Sequence, residues 1–343
     1  MDYKDLIRDL ETFMPTFGDL FTRFYEQLIA GEEVPGLDMI WKGILDTIRA
    51  NAEDVTGIFV SFMIIGVLSS VLIRWGDIFR NRQISEMAFY FTYLYGVILL
   101  LKVFYVMAET AVILVENIIS FTQMLIPAFY IAVAMCYSSV TAGAFYQLNL
   151  LLLYAVEIIF PEMILPIISS YVFVSVISGV DEGDSFAGIA GLMKRGIGLL
   201  IKICITTVAG LGVIKGLIHP AADNMKYTVL QKTMAAIPGM GDITESLAKM
   251  MLGSAILIKN SLGVVILLLM LVLVSGPITK IFLLATVLKI SAAGMGIFGE
   301  KRLARCADRV AEGGFMLLKS VLAVVIIFFI IIALVTAVAG RGM

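Results

Sequence analysis

Gly239-Met240-Gly241-Asp242 matches the Gly-x-Gly-Asp pattern of intramembrane aspartyl proteases. That chemistry needs two carboxylates close enough to share one proton, because like charges held together cannot both ionise. Asp242 lacks such a partner. Asp181 and Asp184 fall in a loop-like run, Asp223 in an amphipathic piece and Asp308 in a basic stretch. The pattern therefore reads as a tight turn after Pro238. Gly239 and Gly241 supply backbone freedom there, and Asp242 caps the helix that follows. Lys259-Asn260 lies several residues into an apolar run. An ionisable group in such a place marks a functional position with a partner, here Asp242, Glu245 or Glu157. The alternative is a lysine snorkelling to the interface. Lys280, just after Pro277, has the same two readings. Glu157 can also simply sit at the membrane boundary beside Pro161.

The remaining reactive residue types are sparse. His219 is the single histidine, so no His-based metal triad can form within this chain. Cys136, Cys204 and Cys306 are widely spaced and include no Cys-x-x-Cys, which leaves no readable zinc site or disulfide framework. The Walker A pattern is absent, so ATP chemistry would belong to a partner. No catalytic, cofactor or metal site is expected, and the chain reads as a non-enzyme.

The elements that carry these residues are apolar. The chain is 60% hydrophobic and 15% charged, with a mean hydropathy of +0.99. A soluble domain cannot hide that much apolar surface, which predicts an all-α, polytopic protein of the lipid bilayer. A net charge of −2 without a basic tract argues against a nucleic-acid partner.

Apolar runs predict about eight transmembrane helices, at 55–73, 87–108, 144–160, 163–180, 196–218, 254–275, 278–298 and 315–338. Pro161-Glu162 and Gly276-Pro277 act as dividers between neighbouring spans. Arg74, Arg80 and Arg82 place the first loop in the cytoplasm by the positive-inside rule. Residues 1–54, with twelve acidic residues against five Lys/Arg, then form an acidic helical segment outside. The transmembrane domain is 55–343. Lys102 would snorkel from the far end of its span. Asp181, Glu182 and Asp184 read as an external loop, with Lys194-Arg195 left near the outer face. Lys301, Arg302, Arg305 and Arg309 read as cytoplasmic.

Three scarce residues recur at one offset. Pro127 and Pro238, Asn149 and Asn260, and Pro166 and Pro277 are each 111 apart (238 − 127, 260 − 149, 277 − 166). Two pseudo-symmetric halves, about 86–185 and 197–298, follow from this. The Pro-led segments 126–143 and 237–253 suit broken or re-entrant helices. If both are re-entrant, each half has three spans and the halves are inverted. Such repeats place a working site at their interface. Asn149 and Asn260 then read as equivalent interhelical hydrogen-bonders.

The run Ile237 to Gly263 carries Pro-Gly-x-Gly-Asp and Lys-Asn-x-x-Gly elements. Together with Gly276-Pro277 and Gly299-Glu300-Lys301-Arg302-Leu303, it resembles the stage III sporulation protein AE family across the whole chain. The resemblance implies a multi-pass component of the mother-cell membrane around the forespore. It implies other membrane subunits as partners, in a secretion-like channel complex joining mother cell and forespore. The reading set beside it is a stand-alone secondary transporter or small-molecule permease, for which inverted halves and broken helices are common.

Overall fold

The computed structural model describes the backbone of residues 36–78, 82–136, 139–180, 186–234, 241–297 and 301–338. Side chains are described for 38, 41–72, 87, 90–124, 147–179, 186–210, 264–297 and 301–332. Seven α-helices follow in order: α1 (Gly36–Ile78), α2 (Arg82–Cys136), α3 (Ser139–Glu157), α4 (Leu165–Val180), α5 (Ala187–Met234), α6 (Gly241–Ile297) and α7 (Lys301–Val338). A π-helical stretch, Ile158–Ile164, joins α3 to α4. No strand occurs among the described residues, so the chain is all-α as expected.

Five segments are long and apolar enough to cross a membrane: Trp41–Leu72, Tyr90–Met124, Gln147–Gly179, Val264–Ile297 and Lys301–Ile332. These five are counted among the described residues only, and the expected eight are not confirmed by them. Several expected spans are two parts of one rod. Pro161 does not divide 144–160 from 163–180, because the helix widens into π geometry around it. That widening accommodates the ring and the missing N–H. Pro277 lies inside α6. Beside it, Ser275 Oγ donates to the Val272 carbonyl at 2.9 Å and Thr279 Oγ1 to the Ser275 carbonyl at 2.7 Å. Hydroxyl donors of this kind satisfy backbone groups near a proline and let the helix continue. Pro127 is likewise carried inside α2, and the segment 126–143 is divided between two helices, since α2 runs to Cys136 and α3 starts at Ser139. Pro238 and Gly239 fall at 235–240, outside the described residues, and α6 begins at Gly241. Lys102 is not near a helix end either, since α2 continues to Cys136. At 55 residues, α2 is about 80 Å long, against a hydrocarbon core of about 30 Å.

The rods alternate in direction. The ends that meet are fixed by contacts: Gly66 against Met295, Gly96 against Leu303, Gly179 against Tyr93, and Lys194 on Glu312. These place the end of α1, the start of α2, the end of α4, the start of α5, the end of α6 and the start of α7 together. Two expectations change as a result. The helix ends that flank the acidic run 181–184 both lie at the end that carries Arg302, Arg305 and Arg309, where a loop on the opposite face was expected; the run itself is outside the described residues. Lys194-Arg195 also belongs here rather than at the outer face. The hairpins α2/α3–α4 and α5/α6 therefore both open at the same end. Parts of both Pro-led segments, 137–138 and 237–240, lie outside the described residues, so the described helices do not decide between inverted and parallel halves.

The hub is α7. It touches α2, α3, α4, α5 and α6, and 61% of its membrane-length window is buried, against 22% for α1. Its apolar residues Leu317, Val321, Val324 and Phe328 join Met107, Leu114, Phe121, Ile168, Val172 and Leu288 in the core. Two adjacent glycines allow the approach. A Cβ on Gly314 would lie 2.8 Å from Met107 Sδ and 3.0 Å from the Ala285 Cβ, and one on Gly313 would overlap the Val172 side chain.

Candidate functional site

The first third of α7 is amphipathic, and its polar residues reach three neighbouring helices. Tyr171 Oη of α4 and Lys194 Nζ of α5 both donate to Glu312 Oε2, each at 2.9 Å. Lys289 of α6 pairs with Asp308 at 2.5 Å. Arg309 donates to Ser178 Oγ of α4 at 3.2 Å. Above them, the buried Tyr93 hydroxyl of α2 donates to the Val176 carbonyl at 2.8 Å, beside buried Cys306. The Glu312 carboxylate is thus a three-helix joint, and α7 bears one half of every charged pair in it.

This arrangement fixes register. Opposite charges meet one to one, and the groups are part-exposed, so each pair contributes modestly while together they orient the helices. Glu312→Gln keeps an oxygen for Tyr171 but loses the charge, and should lower stability by about 1 kcal/mol or less. Glu312→Leu strands both donors and should cost about 1–3 kcal/mol. The midpoint of thermal unfolding in detergent reads the difference; equal midpoints for the two variants would mean that the Tyr171 bond contributes nothing.

The residues singled out from the sequence lie elsewhere. Asn149 is half-buried on α3, and Glu157 is exposed at that helix's end. Pro277 and Lys280 are half-buried in α6. Gly241, Asp242, Lys259 and Asn260 are on α6 and Pro127 on α2, at positions whose side chains are outside the described set. Gly241 opens α6, which puts Asp242 in its first turn, the place expected of a residue at a helix start. The α7 cluster was visible in the sequence only as a basic stretch on one helical face. Glu312 and its tyrosine partner carried no local signal, because Tyr171 is 141 residues away.

Membrane-length helices packed on a central rod, with charged pairs gathered at one end, define a multi-pass α-helical membrane protein. Residues 20–339 match the model of the family "Stage III sporulation protein AE". The chain belongs to that family. It is similar to the stage III sporulation protein AE of Bacillus subtilis (strain 168), with 22% identity over 254 residues. That alignment covers 74% of this chain and 63% of the relative, so the chain spans less than two thirds of that protein's length. No solved structure matches.

Proposed function

We propose that the protein is a non-enzymatic membrane subunit of the channel or secretion-like complex linking mother cell and forespore, needed for forespore development. It resides in the mother-cell membrane around the forespore and works with other membrane subunits. Any ATP hydrolysis comes from a partner. Family membership supports the sporulation role. The observation that favours a subunit over a self-sufficient carrier is the bundle interior. Among the described residues it is packed with apolar side chains from Phe62 and Tyr93 at one end to Phe121 and Phe328. A carrier needs polar groups gathered around a midplane binding site, whereas the buried polar side chains among the described residues are uncharged hydroxyls such as Thr92, Thr122, Ser175, Ser291 and Ser320. The basic end faces the cytoplasm by the positive-inside rule, and the acidic segment 1–54 meets partners outside.

Reconstitution tests the reading. Protein alone in liposomes should be inert toward solutes, and should co-purify with other membrane subunits from sporulating cells. Solute uptake by the protein alone would instead establish the secondary-transporter reading. Asp242→Asn should complete sporulation at the wild-type level, because no proteolytic step depends on it. Arrest of that variant at normal abundance would reopen the protease reading.

A further inference from the structure

Ionisable side chains stand on the outside of the apolar rods without a partner, Glu109, Glu116, Lys202 and Lys319 among them. Glu109 and Glu116 are exposed on α2, seven residues apart and flanked by exposed Tyr105 and Ile113. Lys319 is exposed on α7 next to Leu322 and Ile326, and Lys202 on α5 between Leu199 and Ile203. Among the described residues none of the four makes an ion pair or hydrogen bond. Lys102 precedes Glu109 by seven residues, about 10 Å along the axis, too far to neutralise it. Glu109, Glu116 and Lys319 lie in membrane-length segments, where an unpaired charge on the outer surface is expensive.

Glu109 and Glu116 lie on the side of α2 away from α7 and Lys319 on the side of α7 away from α2, while exposed Lys102 shares the acids' face of α2 one step of seven residues nearer its start. On α2, Met107 and Phe121 face α7, against Gly314 and Phe328. Glu109 is two residues from Met107 and Glu116 nine, which places both about 180–200° round the helix. On α7, Lys319 is nine residues from Phe328, again about 180° round. Glu109 and Glu116 therefore point away from α7, and Lys319 points away from α2. Lys202 lies at a depth similar to that of Lys319. It is eight residues beyond Lys194, Lys319 is seven beyond Glu312, and Lys194 and Glu312 are bonded to each other at 2.9 Å.

The opposed charges also share one depth. Helices α2 and α7 run in the same direction with a constant offset, since 303 − 96, 314 − 107 and 328 − 121 all equal 207. Lys319 is thus level with residue 112, within about one turn of both Glu109 and Glu116. Copies of a membrane protein related by an axis normal to the bilayer keep both depth and sidedness. Only groups at equal depth can pair between them, and these groups meet that condition.

We propose that the protein associates with copies of itself head to tail, the Glu109–Glu116 side of α2 in one copy meeting the Lys202–Lys319 side of α5 and α7 in the next. The contact is heterologous, so it repeats, and a ring results when the rotation closes. Each interface converts exposed charges into interhelical pairs where water is scarce. The inference uses the geometry of one bundle and does not depend on the sporulation role.

The test uses the full chain with Cys136, Cys204 and Cys306 replaced by alanine. Copies carrying Glu116→Cys and copies carrying Lys319→Cys, differently tagged, are co-expressed and oxidised in membranes. A cross-link between the two tags is expected. Glu116→Lys or Lys319→Glu alone should abolish association, read by counting photobleaching steps of labelled protein in supported bilayers. The double exchange Glu116→Lys with Lys319→Glu in one chain should restore it. The shape-preserving pair Glu109→Gln with Glu116→Gln should weaken association about ten-fold while the bundle stays folded. A monomeric wild type, a cross-link between two copies that both carry Glu116→Cys, cross-links only to a different protein, or no restoration by the double exchange would each overturn the proposal.

Discussion

Gly313→Val should leave little folded protein in the membrane. A Cβ at this position overlaps Val172 Cγ2 and comes within 3.3 Å of the Phe104 ring. Both neighbours are buried, at 0% and 5% exposure, so neither has space to yield. Inserting atoms into a packed core typically costs about 1–3 kcal/mol, and valine adds its two methyls to the same overlap. A loss of about 1–2 kcal/mol already changes abundance several-fold, so abundance should fall several-fold or more. Gly313→Ala should fall less and recover when paired with Val172→Ala, which removes the clashing methyl. Gly198→Ala is the control, since nothing lies within 4 Å of its Cβ. Immunoblots of isolated membranes and unfolding midpoints in detergent check both. If Gly313→Val accumulates like Gly198→Ala, close approach of α7 is not what holds the bundle.

Gly179→Ala should be the second most damaging change, and its damage should depend on one oxygen atom. The Cβ it adds meets the Tyr93 hydroxyl oxygen, while the ring carbon behind it is 3.4 Å away, an ordinary contact. Tyr93 is 2% exposed and held by its bond to the Val176 carbonyl, so it cannot swing aside without losing that bond. Tyr93→Phe alone should cost about 0.5–1.5 kcal/mol, the worth of the bond. Combined with Gly179→Ala, it removes the clashing oxygen. The double variant should therefore be more stable than Gly179→Ala alone, a strong departure from additivity. Tyr93→Ala should cost about 3–5 kcal/mol through the cavity it opens. Unfolding midpoints of the four variants decide the matter; simple addition of the two single losses would refute the contact.

The helical class and the membrane setting were legible because apolar content alone demands them. Where each rod ends was not. Pro161 and Pro277 look like span boundaries in a sequence, yet a π-helical stretch absorbs the first, and hydroxyl donors from Ser275 and Thr279 accompany the second. Those compensations depend on geometry and on short side chains that serve many other purposes. Lys194 illustrates a second limit. Local charge left it on the wrong face, and only a partner 118 residues away, Glu312, assigns its end of the bundle. The glycine pair at 313–314 was not singled out, since its role exists only once Val172, Met107 and Ala285 converge on it.

Chain order gives the central position of α7 a consequence in time. The helix that every later contact depends on is synthesised after all of its partners. Gly313 follows the end of α2 by 177 residues (313 − 136). At about 5–20 residues per second, Phe104 and Met107 wait roughly ten to forty seconds for the surface they pack against. During that interval lipid or the insertion machinery must shield their faces. Completion of the bundle is then a single late event, which makes the arrival of α7 a natural checkpoint between an inserted chain and one competent to assemble.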